Sequence, residues 1–345
     1  MTCVSTSAFD GAAHEWDTFV RRTEGSTHAH LYGWRALMEE VFGHECLYLA
    51  ARDSSGELAG VLPLVRVNSL LFGHYLVSMP FLNSGGPIGE TDAVRRLAAA
   101  AVECARTSGA KLLELRSRTE LPLDLEASHR KVTVLLDLPA GGDPDLLWRA
   151  LPSKLRSQVR RPQKDGIEVR FGADQVEPFF EVFSHHMRDL GTPTQPRRMF
   201  ERIAATFPSI VSFGCAYSHS RPVAAGCGFS WNGEFEMMWA SSLREFSRSA
   251  PNMLLYWAFL EQTVRERLAV FNFGRCSPGG RTHHFKQQWG QTRDIPLWWY
   301  QASRGRARAT PAPDRGAYAL GPLVWRRLPL ALATALGPRI VRFLP

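Results

Sequence analysis

Several signatures that would announce a function are missing from this chain. Its six cysteines (Cys3, Cys46, Cys104, Cys215, Cys227 and Cys276) include no C-x-x-C pair. That scatter excludes a zinc ribbon and a disulfide framework, and it points to reduced thiols. No run approaches the ~18–20 apolar residues that a membrane span requires. The opening MTCVSTSAFDGAAHEWDTF has no basic start followed by an apolar core, so a secretory leader is not expected and the expected location is the cytoplasm. There is no Walker loop and no G-x-S-x-G, which removes two common phosphate and nucleophile signatures. Acidic residues are in deficit, 33 Asp plus Glu against 41 Lys plus Arg, for a formal net charge of +8. The excess favours anionic partners, whether phosphates, nucleic acid or an acidic membrane surface, without choosing among them.

What is present is an α/β pattern in two similar halves. The 345 residues suit two domains, and 45% hydrophobic residues argue against extensive disorder. Apolar runs over 46–53 and 57–67, parted by Ser-Ser-Gly, predict a hairpin. A strand over 75–80, a Gly/Pro/Asn-rich loop, a helix over 93–107 and strands over 111–116 and 132–138 follow. The second half repeats that order: a hairpin over 210–217 and 222–231, a strand over 235–241, a polar loop, a helix over 252–267, then strands over 269–274 and 296–301. The shared order and spacing indicate an internal structural duplication. PAGGDPD (139–145) reads as a linker, and the stretch after 302 as a basic, Pro-rich tail ending in a short apolar segment. The expected division is 1–140, 141–305 and 306–345. The final segment fits either a terminal helix packed on the body or an anchor lying peripherally at the inner face of the membrane.

Hairpin, strand, loop, helix and further strands is the order of the GNAT acyltransferase fold. There a donor pyrophosphate sits on the loop and helix N-terminus after the central strand, held by backbone N–H groups and the helix dipole. The corresponding places here are 82–92, offering Ser84, Gly85 and Gly86, and 243–252, offering Arg244, Arg248 and Asn252, with Tyr256 one turn into the helix. Neither matches the acyl-CoA signature of Gln or Arg, two residues, Gly, one residue, then Gly or Ala; the glycine pair also fits a tight turn. Lys154, Arg156, Arg160 and Lys164 lie on a predicted helix, the last three on one face. Such a face fits a diphosphate or an RNA backbone, or simply a solvated helix side. No aromatics interleave with it, so sequence-specific DNA binding is not expected. The adjacent pairs His185–His186 and His283–His284 diverge on any regular element, so no metal site is expected. Nothing local activates Cys276, which reads as packing.

WRALMEEVFGH (34–44), GVLPLVRVNSLLFG (60–73), VSMPFLNSGGP (77–87), LPSKLRSQVRRPQKDG (151–166), MRDLGTP (187–193), NFGRCSPGGRTHHFKQQWG (272–290) and RRLPLALATALGP (326–338) run in the order of the FemAB-related proteins. The sequence most resembles the subgroup associated with PEP-CTERM/exosortase systems, along nearly its whole length. The resemblance implies an α/β (α+β) fold of two tandem GNAT-like domains without a long helical arm. It implies an acyltransferase that passes an acyl or aminoacyl group to an amine on a saccharide or peptide acceptor related to the envelope or to exopolysaccharide. Acyl-CoA or aminoacyl-tRNA would be the donor co-substrate, with no tightly bound cofactor. The stretch 272–290 corresponds to a D-F-G-R-S … F-K-x-x-W-G motif, which points to Lys286, Arg275 and Asn272 for catalysis and Ser277 for substrate contact; Trp34, in the WRALMEEVFGH stretch, is a further substrate- or donor-binding candidate. Asn272 stands where the family has Asp, and Cys276 where Ser follows Arg. If that Asp is a base or substrate anchor, the activity is altered or lost here, leaving a membrane-surface binding or scaffold protein. If it is a strand-end hydrogen bonder, Asn suffices. Phe285, Trp289 and Gly290 read as the seat of the last strands, while Lys286 and Arg275 offer fixed positive charge for an oxyanion or a phosphate.

Overall fold

The computed structural model describes residues 4–69, 73–303 and 320–344. The described residues form two compact units, one of 4–130, 296–303 and 342–344, the other of 131–295 and 320–341. Residues 306–319 of the predicted tail lie outside the described part.

The first unit opens with β1 (Ser5–Ala8), α1 (Ala13–Arg22) and α2 (Gly33–Leu37), followed by the hairpin β2 (Glu45–Arg52) and β3 (Leu58–Ser69). Asp53 builds the hairpin turn, its carboxylate accepting from the backbone N–H groups of Ser55 and Glu57 at 2.8 and 3.1 Å. Next come β4 (Gly73–Val77), β5 (Ile88–Gly89), α3 (Thr91–Thr107) and β6 (Leu112–Ser117). Ala93, Leu97, Ala101 and Ala105 form the buried stripe of α3. These small residues bring the helix so close to the sheet that a Cβ on Gly60 of β3 would stand 2.8 Å from that of Ala93. β4 and β6 run parallel and pair only over Tyr75–Val77 and Leu112–Glu114.

β7 (Glu126–Asp137) leads into the second unit, which continues with α4 (Pro144–Ala150), α5 (Ser153–Lys164), β8 (Ile167–Phe171), α6 (Val176–Leu190) and α7 (Arg197–Thr206). The hairpin β9 (Val211–Ser218) and β10 (Arg221–Trp231), then β11 (Glu234–Ser242), α8 (Pro251–Arg265), β12 (Val270–Cys276), α9 (Arg281–Gln287) and β13 (Thr292–Ser303) repeat the order of the first half. α10 (Leu320–Trp325) and α11 (Leu330–Val341) close the chain. α8 is the core helix. Its buried residues, from Met253 to Val264, leave little of it to solvent, and Phe259 packs where Gly226 of β10 lacks a side chain.

Both predicted hairpins, both central helices and the strands around them lie within a few residues of expectation. Two features differ. β7 begins at Glu126, because the polar EASHRK stretch carries none of the apolar signal that marks a strand. Residues 281–287 form a helix inside what reads as a motif loop, since Gly279 and Gly280 precede a run too short for periodicity to show.

The closing strand of each unit comes from the other half of the chain. β6 pairs antiparallel with Trp298–Ser303 of β13, and β12 pairs antiparallel with Val132–Asp137 of β7. Tyr300 is thereby buried in the first unit's core, and Val134 and Leu136 in the second's. A fragment ending at residue 137 therefore lacks Leu297 and Tyr300, both nearly fully buried. Losing two such side chains costs about 5 kcal/mol or more, comparable with a domain's whole stability. Fragment 1–137 should show no cooperative thermal transition by circular dichroism, and appending residues 292–303 through a short linker should restore one. A sharp transition in the bare fragment would show that the borrowed strand is dispensable.

Candidate active site

The parallel pair β11–β12 organises the best-defined polar cluster in the second unit. The strands pair only over Glu234–Glu236 and Val270–Asn272, after which no further ladder joins them. At that point β12 also breaks register with β7, between Asn272 and Arg275, and Gly274 takes a positive φ of 76°. The Asn272 side chain, fully buried, clamps this bulge. Its Oδ1 accepts the Gly274 backbone N–H at 2.8 Å and the hydroxyl of Thr133 on β7, while its Nδ2 donates to Glu234 Oε1 at 2.8 Å.

Just beyond the break, Lys286 on α9 reaches two backbone carbonyls of β12. Its Nζ donates to the Gly274 carbonyl at 2.6 Å and to that of Arg275 at 3.0 Å. Lys286 is 3% exposed, and burial lowers its pKa from 10.5 to about 8, with Cys276 and Glu236 pulling the other way. These bonds use two of the ammonium's three N–H donors. An aromatic cluster seats α9. Phe285 meets Tyr256 edge-on at 4.9 Å, Tyr256 stacks on Phe273, and Trp289 lies tilted against both within 6.3 Å.

His283, one turn before Lys286, is also buried. Its Nδ1 accepts the Gly279 N–H at 3.0 Å, so Nε2 carries the proton and donates to Asp294 at 2.7 Å. The adjacent His284 is exposed, so the pair diverges as the spacing requires, but His283 has a carboxylate partner that spacing does not reveal. Lys131 donates to exposed Ser277 at 2.6 Å. Cys276 is buried, and burial raises its thiol pKa against the pull of Lys286, which keeps it an unreactive thiol near neutrality. Among the described residues no group of three or more His, Cys, Asp or Glu gathers as a metal site.

The structure thus brings Asn272, Arg275 and Lys286 together, with Tyr256 behind them as packing. The remaining candidates lie elsewhere. Arg244 and Arg248 are exposed on the loop before α8, where Arg244 donates to the Asp189 carbonyl at 3.1 Å. Asn252 sits half-buried in the helix's first turn, after Ala250, whose φ of 51° is unusual for a residue with a Cβ. On α5, Arg156 caps α4 by donating to the Arg149 and Leu151 carbonyls at 3.0 Å, and Arg160 lies over the Trp148 ring at 5.2 Å. Lys154 and Lys164 face solvent.

In the first unit the glycine loop folds back on its own sheet. The Gly86 N–H donates to the Arg116 carbonyl on β6 at 2.6 Å, and a Cβ there would stand 2.7 Å from that oxygen. Gly85, at φ 134°, leaves no room for a side chain beside Met79. Ser84 hydrogen-bonds Thr27 at 2.9 Å, and His30 donates through Nε2 to the Gly86 carbonyl at 3.0 Å. Burial lowers the His30 pKa to about 4, so the ring is neutral. Arg116, paired with Glu114 at 2.7 Å, completes this packing. Trp34 is fully buried and donates to the His28 carbonyl at 2.9 Å. The glycines serve close approach of chain to chain here, and the Gly86 N–H is occupied by the Arg116 carbonyl.

Residues 151–287 match the model of the acetyltransferase (GNAT) domain. Over 135 residues the chain is 24% identical to the UDP-N-acetylmuramoylpentapeptide-lysine N(6)-alanyltransferase of Weissella viridescens, a match covering 37% of this chain and 40% of that protein. The chain thus spans less than half the length of that curated relative. Among solved structures, FemX aligns over 85% of this chain and 97% of its own at 14% identity, with a TM-score of 0.64. A tandem GNAT protein from the clavulanic acid biosynthesis pathway aligns over 88% and 100% at 15% identity, with a TM-score of 0.51. At these identities the likeness is one of fold. The second half carries a GNAT domain, and the mixed α/β fold is the tandem GNAT-like one expected.

Two substitutions test the cluster. An unfolded lysine keeps its proton up to about pH 10.5, whereas the folded chain releases that of Lys286 from about 8. Between those values the unfolded chain binds more protons, so stability rises with pH, by about 3 kcal/mol in all. Lys286→Met should abolish that rise in urea melts at pH 7.5 and 10; equal slopes in the two proteins would mean that Lys286 titrates normally. Asn272→Asp places a carboxylate against Glu234, costing on the order of 3 kcal/mol when both are ionised. An acid whose folded pKa is raised loses stability as pH rises, so this variant's deficit should be larger at pH 8 than at pH 5. A deficit independent of pH would point to packing instead.

Proposed function

We propose that this chain is an N-acyltransferase that passes an acyl or aminoacyl group to an amine on a cell-envelope or exopolysaccharide-related acceptor. The observation that carries this reading is Lys286, a buried cation fixed by two backbone carbonyls where β11 and β12 part company, inside the stretch that matches the GNAT domain. When the amine attacks the donor carbonyl, negative charge develops on its oxygen. A pre-positioned N–H in a water-poor setting stabilises that charge without reorganising. The attacking nitrogen gives its proton to water or to the departing group, and the donor's thiol or hydroxyl leaves. Arg244, Arg248 and the first turn of α8 at Asn252 form the place where a donor phosphate would be held, while Arg275 adds positive potential beside the reacting carbonyl.

Two donors fit this chemistry. An acyl-CoA follows from the GNAT match. Aminoacyl-tRNA is favoured by two observations: the acyl-CoA signature is missing from both loops, and the partial relative is named an alanyltransferase. Asn272 is compatible with either, because in this fold its position holds the bulge by hydrogen bonds that an amide satisfies. Exposed Lys154 and Lys164 remain available to an RNA backbone.

The donor is tested by thermal unfolding with coenzyme A, acetyl-CoA, longer acyl-CoAs and alanyl-tRNA. The true donor raises the melting temperature with dose, because it binds only the folded state. With that donor, Lys286→Met should lower the transfer rate about 100- to 1,000-fold while leaving the donor-induced shift in place. Undiminished turnover in that variant removes Lys286 from the reaction; no shift with any donor removes the transferase reading.

A further inference from the structure

The end of the second unit presents a surface that the transferase reading does not use. α11 turns small residues inward: Ala333, Gly337 and Val341, four apart, are buried. A Cβ on Gly337 would stand 2.8 Å from the Thr194 backbone nitrogen, so the helix lies against that chain with no room to spare. Its outer face shows Leu332 at 51% exposure and Leu336 at 39%, with Ala331 and Ala335 beside them. On α10, Leu323 and Val324 are 54% and 63% exposed. Four of the six exposed large hydrophobics among the described residues therefore fall on these two short helices. A fifth, Leu190 at the end of α6, is tied to them because Arg326 donates to its carbonyl at 3.2 Å. Single exposed leucines are ordinary, but a cluster is a contact surface.

The charge on this surface is one-sided. Residues 320–341 contain Arg326, Arg327 and Arg339 and no Asp or Glu, and all three arginines are exposed. A helix side facing water normally carries mixed charge; leucines flanked by arginines mark a helix that lies in a lipid interface. At 12 residues α11 is about 18 Å long, which is too short to cross a bilayer. No helix among the described residues is long and apolar enough to do so.

We propose that the α10–α11 face docks on an anionic membrane surface. Leu323, Leu332 and Leu336 enter the headgroup boundary, and the arginines meet lipid phosphates. The proposal goes beyond the transferase reading and stands whether or not that reading does. Full-length protein should float with vesicles of phosphatidylglycerol and phosphatidylethanolamine, and not with pure phosphatidylcholine, at about 0.1 M salt. L332E/L336E should weaken binding at least about tenfold by removing the buried apolar part. R327Q/R339Q should weaken it about 25-fold, at about fivefold per arginine, and leave the remainder less sensitive to salt. All four side chains are exposed, so both variants should melt as the wild type does and transfer to a small free amine at the wild-type rate. Equal binding to neutral vesicles, or variants that float like the wild type, overturns the proposal. So does wild type that ignores vesicles but forms dimers that L332E/L336E abolishes, which assigns the face to a second copy of the chain.

Discussion

The second unit depends on one constraint: two parallel strands that pair for three residues and then stop. Backbone groups released from a ladder inside a protein must find other partners, since leaving one bare costs as much as a lost hydrogen bond. At the end of β12 that requirement is met by side chains from three other elements. Asn272 is itself on the strand; Thr133 reaches it from β7, Glu234 from β11, and Lys286 donates to the Gly274 and Arg275 carbonyls from α9. The aromatic seat of Tyr256, Phe273, Phe285 and Trp289 holds α9 where its lysine can do so. A structural need for donors has thereby put a buried cation at the strand's end.

This arrangement bears on the departure of Asn272 from the Asp of the resembling family. An amide both donates and accepts, and here it does both, toward Glu234 on one side and toward Gly274 and Thr133 on the other. A carboxylate can only accept when ionised. With Glu234 as the neighbour, the amide is the side chain whose hydrogen-bonding capacity fits, and a proton-abstracting role at this position is not required.

The two halves answer the same topological problem differently. In the first, the glycine loop after β4 returns to β6, where the Gly86 N–H donates to the Arg116 carbonyl and His30 locks the turn. In the second, the loop before α8 carries exposed arginines and a left-handed Ala250, while the polar cluster forms at the end of β12. Similar element order has therefore produced a packed junction in one unit and a candidate reaction centre in the other.

How much of this was legible beforehand follows from the range of the interactions. The apolar runs, the Ser-Ser-Gly turn and the alanine stripe of α3 are local patterns, and their elements lie near where periodicity places them. The resemblance of 272–290 singled out Asn272, Arg275 and Lys286, which the fold brings together. Thr133 and Asp294 had no such signal, because the first meets Asn272 across 139 residues of chain and His283 meets the second only once α9 has folded. Nor did composition distinguish Arg156 and Arg160, used within α4 and α5, from the arginines on the α10–α11 face. The sequence alone determined both hairpins, both central helices and the apolar strands around them, since propensity and burial pattern act over a few residues, but not the polar start of β7 or the short α9. Only the tertiary structure decided which half supplies the closing strand of each unit, which glycines meet backbone, and which lysine is buried, because those depend on contacts between segments that are far apart along the chain.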